Sequence, residues 1–280
     1  MNYQWYPGHM TKAVRMMQED IKLVDLLIEI ADARIPRASR NPDIDRLGQN
    51  KARLILLNKS DLSDEKMNQS WKEYFTAQGV SAVLIDSRKG TGLKEIQNAV
   101  MSACREKIER DRKRGILNRP VRAMVSGIPN VGKSTFINAY AGKACTKTGN
   151  KPGVTKGKQW IRLGKNLELL DTPGILWPKF EEESIGLHLA MIGSINDEIL
   201  HEDELACKVI EFMKQDYAGR LQNRYGVEET EAAPAILEAI SIRRGCLKKG
   251  GEPDLDKAAG MLLDEFRSGT LGRITIEKPE

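Results

Sequence analysis

The chain is poor in aromatic residues, in cysteine and in long apolar runs, and each shortage removes a class of protein. Aromatics are 5% of the 280 residues, so the core is expected to be mainly aliphatic. The strongest apolar run, near Leu26 to Ala31, is far short of the roughly 20 residues that a membrane-spanning helix needs. There is no lipidation motif either, so no membrane role is expected. Residues 1–10 carry no apolar signal-peptide segment, which points to the cytoplasm. The four cysteines, Cys104, Cys145, Cys207 and Cys246, are scattered without a C-x-x-C pair. They are expected to be reduced thiols, neither metal ligands nor disulfides.

What is present suits a soluble globular protein of one large or two modest domains: 40% hydrophobic and 30% charged residues. The net charge of +5 conceals an asymmetry. Residues 1–177 hold 31 Lys and Arg against 18 Asp and Glu, and residues 178–280 hold 13 against 21. A nucleotide site needs only a few of those positive charges, so the basic first part also suggests a polyanion partner such as RNA.

The most informative stretch is Gly127-Ile128-Pro129-Asn130-Val131-Gly132-Lys133-Ser134. It fits the phosphate-loop pattern G-x-x-x-x-G-K-[ST]. An apolar run, Val121 to Val125, predicts a strand before it, and Thr135 to Ala141 predicts a helix after it. In that setting the backbone N–H groups of Asn130, Val131, Gly132 and Thr135 and the helix N-terminus converge on phosphates, whereas Pro129 has no N–H to give. Lys133 reaches the outer phosphates as the catalytic cation, and the Ser134 hydroxyl is suited to Mg²⁺.

Upstream, a strand expected over Arg53 to Leu57 runs into Asn58-Lys59-Ser60-Asp61. This matches N-K-x-D, the guanine-reading motif of GTPases. The Asp61 carboxylate can accept from the ring N–H and exocyclic amine of guanine, and adenine would leave it unpaired. Asn58 is expected to stabilise the loop and face the base edge, and the Lys59 stem to cover the ring. After a short strand, Ser81 to Ile85, the segment Asp86-Ser87-Arg88-Lys89 stands where GTPases carry a loop whose backbone N–H meets the guanine carbonyl oxygen. Ser87 and Arg88 are therefore base-site candidates. Downstream, Lys143 to Lys158 reads as a nucleotide-ordered switch whose Thr155 completes the Mg²⁺ shell. A hairpin, Trp160 to Leu163 with Leu167 to Leu170, ends in Asp171-Thr172-Pro173-Gly174. There Asp171 would act on Mg²⁺ and the Gly174 N–H on the γ-phosphate.

These parts stand in an unusual order, because the base-reading motifs precede the phosphate loop. Cutting an ordinary G domain after D-x-x-G and joining its old ends near Arg112 to Arg119 would produce this chain. With Pro7-Gly8-His9-Met10, Asp32-Ala33-Arg34-Ile35-Pro36 and Gly153-Val154-Thr155 added, the first two-thirds resembles the circularly permuted GTPases of ribosome assembly.

The resemblance implies an α/β fold: a permuted phosphate-loop GTPase domain over 1–177, its mostly parallel sheet flanked by helices on both faces. A small all-α, RNA-contacting domain over 178–280 follows. It implies slow GTP hydrolysis, stimulated on the maturing large ribosomal subunit and its rRNA. It also makes Asn130 a candidate K⁺ ligand. Ile175 stands where many GTPases place a water-orienting Gln, and His9, in the family's Pro-Gly-His-Met context, is the catalytic candidate. A monomer is expected. Alternative readings are a GTP-dependent RNA-binding switch or scaffold with little turnover, and a phosphate-loop ATPase or small-molecule kinase, against which Asn58 to Asp61 argues.

Overall fold

A computed structural model of the chain describes residues 17–117, 119–142, 159–163, 166–171, 183–195 and 201–279. It contains two compact units, one of Met1–Glu181 with Thr275–Glu280 and one of Glu182–Ile274. The last six residues, grouped with the helical part in the reading above, are thus counted with the first unit.

The first unit is built on a six-stranded sheet in the order β3-β2-β1-β4-β6-β5. The strands are β1 (Leu26–Asp32), β2 (Ala52–Asn58), β3 (Ser81–Leu84), β4 (Val121–Gly127), β5 (Gln159–Leu163) and β6 (Leu167–Asp171). All neighbours pair in parallel except the β5–β6 hairpin. The near-continuous apolar sequences of the central strands follow from burial on both faces, and β1 is buried at every position. Mid-strand, Glu29 accepts from Arg40 Nε at 2.8 Å and the Asn41 N–H at 3.1 Å. These bonds offset the cost of desolvating the carboxylate.

The helices of this unit are α1 (Pro42–Leu47), α2 (Glu65–Ala77), α3 (Leu93–Ala103), α4 (Arg105–Lys113) and α5 (Lys133–Ala141). The Asp64 side chain caps α2 by accepting from the Lys66 and Met67 N–H groups. That helix buries Trp71 and Phe75 against Ile55, Leu57 and Ala82. The apolar spacing from Gly92 to about Arg110 predicts one long amphipathic helix; the structure breaks it at Cys104 into α3 and α4. Lys107 on α4 is drawn to Asp25, 3.1 Å away, and to Asp111 at 3.1 Å. Burial, with the nearby Asp25 charge, pushes the Cys104 thiol up to about 11, so it stays protonated and unreactive.

Register is what positions the chemistry. Asp32 on β1 pairs with Asn58 on β2, Ile30 pairs with Gly127 on β4, and Val125 pairs with Asp171 on β6. The carboxyl ends of parallel strands therefore align, and every loop leaving them emerges on one edge of the sheet, where open α/β folds bind ligands.

The second unit holds α6 (Glu183–Met191), α7 (Glu202–Asp216), α8 (Arg220–Tyr225), α9 (Ala233–Arg243) and α10 (Leu255–Ser268). Its interior is mainly aliphatic, with Val209, Ile210, Leu237, Ile240 and Leu262 buried beside Phe266. The Arg267 guanidinium donates to the carbonyls of Ala190 and Met191 at the end of α6, groups that lack partners within a helix. No helix among the described residues is long and apolar enough to cross a membrane.

Candidate nucleotide-binding site

The phosphate loop leaves β4 after Gly127 and enters α5 through Gly132. Gly132 has φ +94°, and a methyl group there would collide with Asn58 Nδ2, so the position needs glycine both for its backbone and for its space. Lys133 opens the helix and is buried. Ser134 and Thr135 follow in the first turn, where the N–H groups and the positive end of the helix dipole face an incoming anion.

Asn58 joins this loop to the other two. Its Nδ2 donates 2.8 Å to the Val131 carbonyl. Its Oδ1 accepts from the Ser87 N–H at 3.1 Å and from Ser87 Oγ at 2.8 Å. Both ends of the carboxamide are committed to the scaffold. Lys59 has φ +60°, rare for a side-chain-bearing residue. Its ammonium donates 2.9 Å to the Asn130 carbonyl and lies 2.9 Å from Asp32 Oδ2. The lysine stem therefore spans from the base loop to the phosphate loop. Asn130 also has φ +60°. The Asp61 carboxylate is 30% exposed, with Lys89 Nζ 3.8 Å away, so it stays reachable by a base edge.

The Arg88 N–H, expected to meet a guanine carbonyl, donates 2.9 Å to Asp86 Oδ1, and the Lys89 N–H donates to the same oxygen at 3.1 Å. A base carbonyl would share or displace that bond. Asp171 closes β6, one strand over from the phosphate-loop strand. The Asp171 side chain, His9, Thr155 and Gly174 lie outside the described residues.

Two residues that carry much of this geometry had no assigned role in the sequence reading. Asp32 is fully buried, and Arg34 grips it with two guanidinium bonds of 2.9 and 2.8 Å. Burial alone would raise the Asp32 carboxyl. The Arg34 and Lys59 charges outweigh it and hold the group well below the usual carboxylate range, so it is charged at neutral pH. The available signal was an Asp-x-Arg closing one buried strand while Asn-Lys closed another.

A family profile described as 50S ribosome-binding GTPase matches residues 122–237. The match begins at β4, and Asn58 to Asp61 lies upstream of it, as a permuted order requires. A Bacillus cereus protein named Ribosome biogenesis GTPase A is 47% identical over 100% of this chain and 95% of its own length. The GNP-bound structure of YlqF from T. maritima is 30% identical, covers 96% of this chain and 99% of its own, and has a TM-score of 0.67. A GDP-bound YlqF structure reaches a TM-score of 0.72 at 28% identity over 95% of this chain and 99% of its own.

Gly132→Ala forces Asn58 away from the Val131 carbonyl and strains the turn. Nucleotide affinity should fall by more than about tenfold, measured by titration calorimetry with Mg²⁺ present. Unchanged affinity would mean that the Asn58 tie does not shape the site.

Proposed function

The chain belongs to the ribosome biogenesis GTPase A family, and from that premise we propose how this GTP-binding, GTP-hydrolysing ribosome assembly factor works. One observation carries the reading of the site. Asn58 bonds Val131 and Ser87, so a guanine-reading motif and a phosphate loop some seventy positions apart form one pocket edge despite the permuted order.

Within that pocket Asp61 reads guanine, the Asn130 to Thr135 backbone cradles the phosphates, and Lys133 neutralises charge developing on the γ-phosphoryl group. Ser134, Thr155 and Asp171 hold Mg²⁺. The fit is chemical: a hydroxyl at the start of α5 and a carboxylate ending the neighbouring strand are hard oxygen donors. Bound there, the ion would supply positive charge to the outer phosphates. Asn130 offers a side-chain oxygen for K⁺ in the same region. Gly174 senses the γ-phosphate, and His9 orients the attacking water because Ile175 cannot.

The natural substrate complex is GTP on the precursor of the large ribosomal subunit, with a monomer acting in the cytoplasm and particle contact stimulating turnover. The helical domain, residues 178–280 in the sequence reading, contacts rRNA. Its exposed Lys248 and Lys249 support that role. Arg244 is less available, being turned toward Glu265 at 3.6 Å and over the Tyr225 ring.

Three measurements test this. Asp61→Asn should weaken GTP binding by about tenfold to a hundredfold and favour xanthine nucleotide, whose exocyclic carbonyl suits an amide donor; a retained GTP preference would overturn the base site. His9→Ala should keep GTP and particle binding while losing most stimulated turnover; hydrolysis at the parent rate on the particle would remove His9 from the mechanism. GTPase rates should be higher in potassium than in sodium buffer, and equal rates would dispose of the Asn130 cation site.

A further inference from the structure

The C-terminal tail makes a set of directed bonds that the functional reading does not use. The Asp64 N–H donates 2.9 Å to Thr275 Oγ1. The Ile276 N–H donates 2.8 Å to the Arg34 carbonyl. The Glu277 carboxylate accepts from two successive backbone groups, the Arg37 N–H at 2.6 Å and the Ala38 N–H at 3.0 Å. Trp71, buried in the core, donates its indole N–H to the Glu277 carbonyl at 3.1 Å.

These partners flank the site described above. Arg34, Arg37 and Ala38 belong to the loop after β1 whose Asp32 holds the Lys59 ammonium. Asp64 stands three residues beyond Asp61, at the far end of the base loop, where its side chain caps α2. The tail therefore joins the loop after β1 to the loop after β2. Ordinary packing needs no such match of two carboxylate oxygens to two consecutive N–H groups, and bonds to an ionised acceptor are stronger than neutral ones.

We propose that Thr275–Glu277 is a positioning element of the guanine-nucleotide site. It holds the Asp32–Ser39 loop so that Asp32 keeps Lys59 extended between the base loop and Asn130. The proposal rests on the guanine-site reading. Linkage makes it reciprocal: if a docked tail strengthens nucleotide binding, bound nucleotide must strengthen docking by the same factor.

The test uses the full chain and GDP. Glu277→Ala and, separately, Thr275→Val should each weaken GDP binding, Glu277→Ala by about tenfold, and Glu277→Gln, which keeps one acceptor oxygen, should recover part of the loss. In the parent, saturating GDP should slow hydrogen exchange at the Ile276 and Ala38 amides. A tail that only braces the fold would lower the unfolding midpoint while leaving GDP affinity, and the exchange of Ile276 with and without GDP, unchanged; that result overturns the proposal. The exchange measurement needs only the parent, so it decides the matter even if the variants misfold. A parent chain that binds no GDP would instead sink the guanine-site reading itself.

Discussion

The nucleotide site hangs on one buried carboxamide. Asn58 is neutral, so its burial costs little once its bonds are made, and it offers a donor and an acceptor pointing opposite ways. The donor reaches the phosphate loop and the acceptor reaches the Ser87 loop. A carboxylate in its place would repel the Val131 carbonyl, and an alanine would leave that carbonyl and the Ser87 groups to find other partners. The absence of a side chain at Gly132 is the complement of this arrangement, since the glycine clears the space that the amide occupies. Lys59 adds a second span beside the first, and its charge is fixed at one end by Asp32.

The permuted order is tolerated because the sheet does not depend on it. Strand register puts Asp32, Asn58 and Gly127 at the same edge, and that adjacency is set by which strands pair in parallel. The segment joining the old termini runs through α4 to β4. Lys107, bridging Asp25 and Asp111, secures it at the opposite edge, far along β1 from the phosphate loop. The join thus falls where it leaves the chemistry undisturbed.

The sheet strands and the base and phosphate motifs could be read from the chain because each is a local pattern: buried parallel strands are short apolar runs, and phosphate and base contacts need particular residues at fixed spacing. What escaped was either too short or too distant. Helix α8, of six residues, is under two turns and shows no periodicity to detect. The break at Cys104 was hidden because apolar residues continue at helical spacing across it, and the Lys107–Asp25 ion pair beside it joins residues about eighty positions apart in sequence. The roles of Asp32 and Arg34 depend on strand pairing, which no single stretch reveals. The tail Thr275 to Glu277 carries no motif, and its partners lie more than two hundred residues earlier.

That separation has a consequence for how the protein is made. Glu277 meets Arg37 across 240 positions of chain, and the whole second unit is synthesised between the two. At roughly 5–20 residues per second, the loop after β1 waits on the order of ten seconds or more for the segment that grips it. A nascent chain can therefore assemble its sheet and helices early, yet the strap over the loop after β1 closes only once the second unit has been made. A product that stopped within the second unit would carry every sequence motif and still lack that fastening.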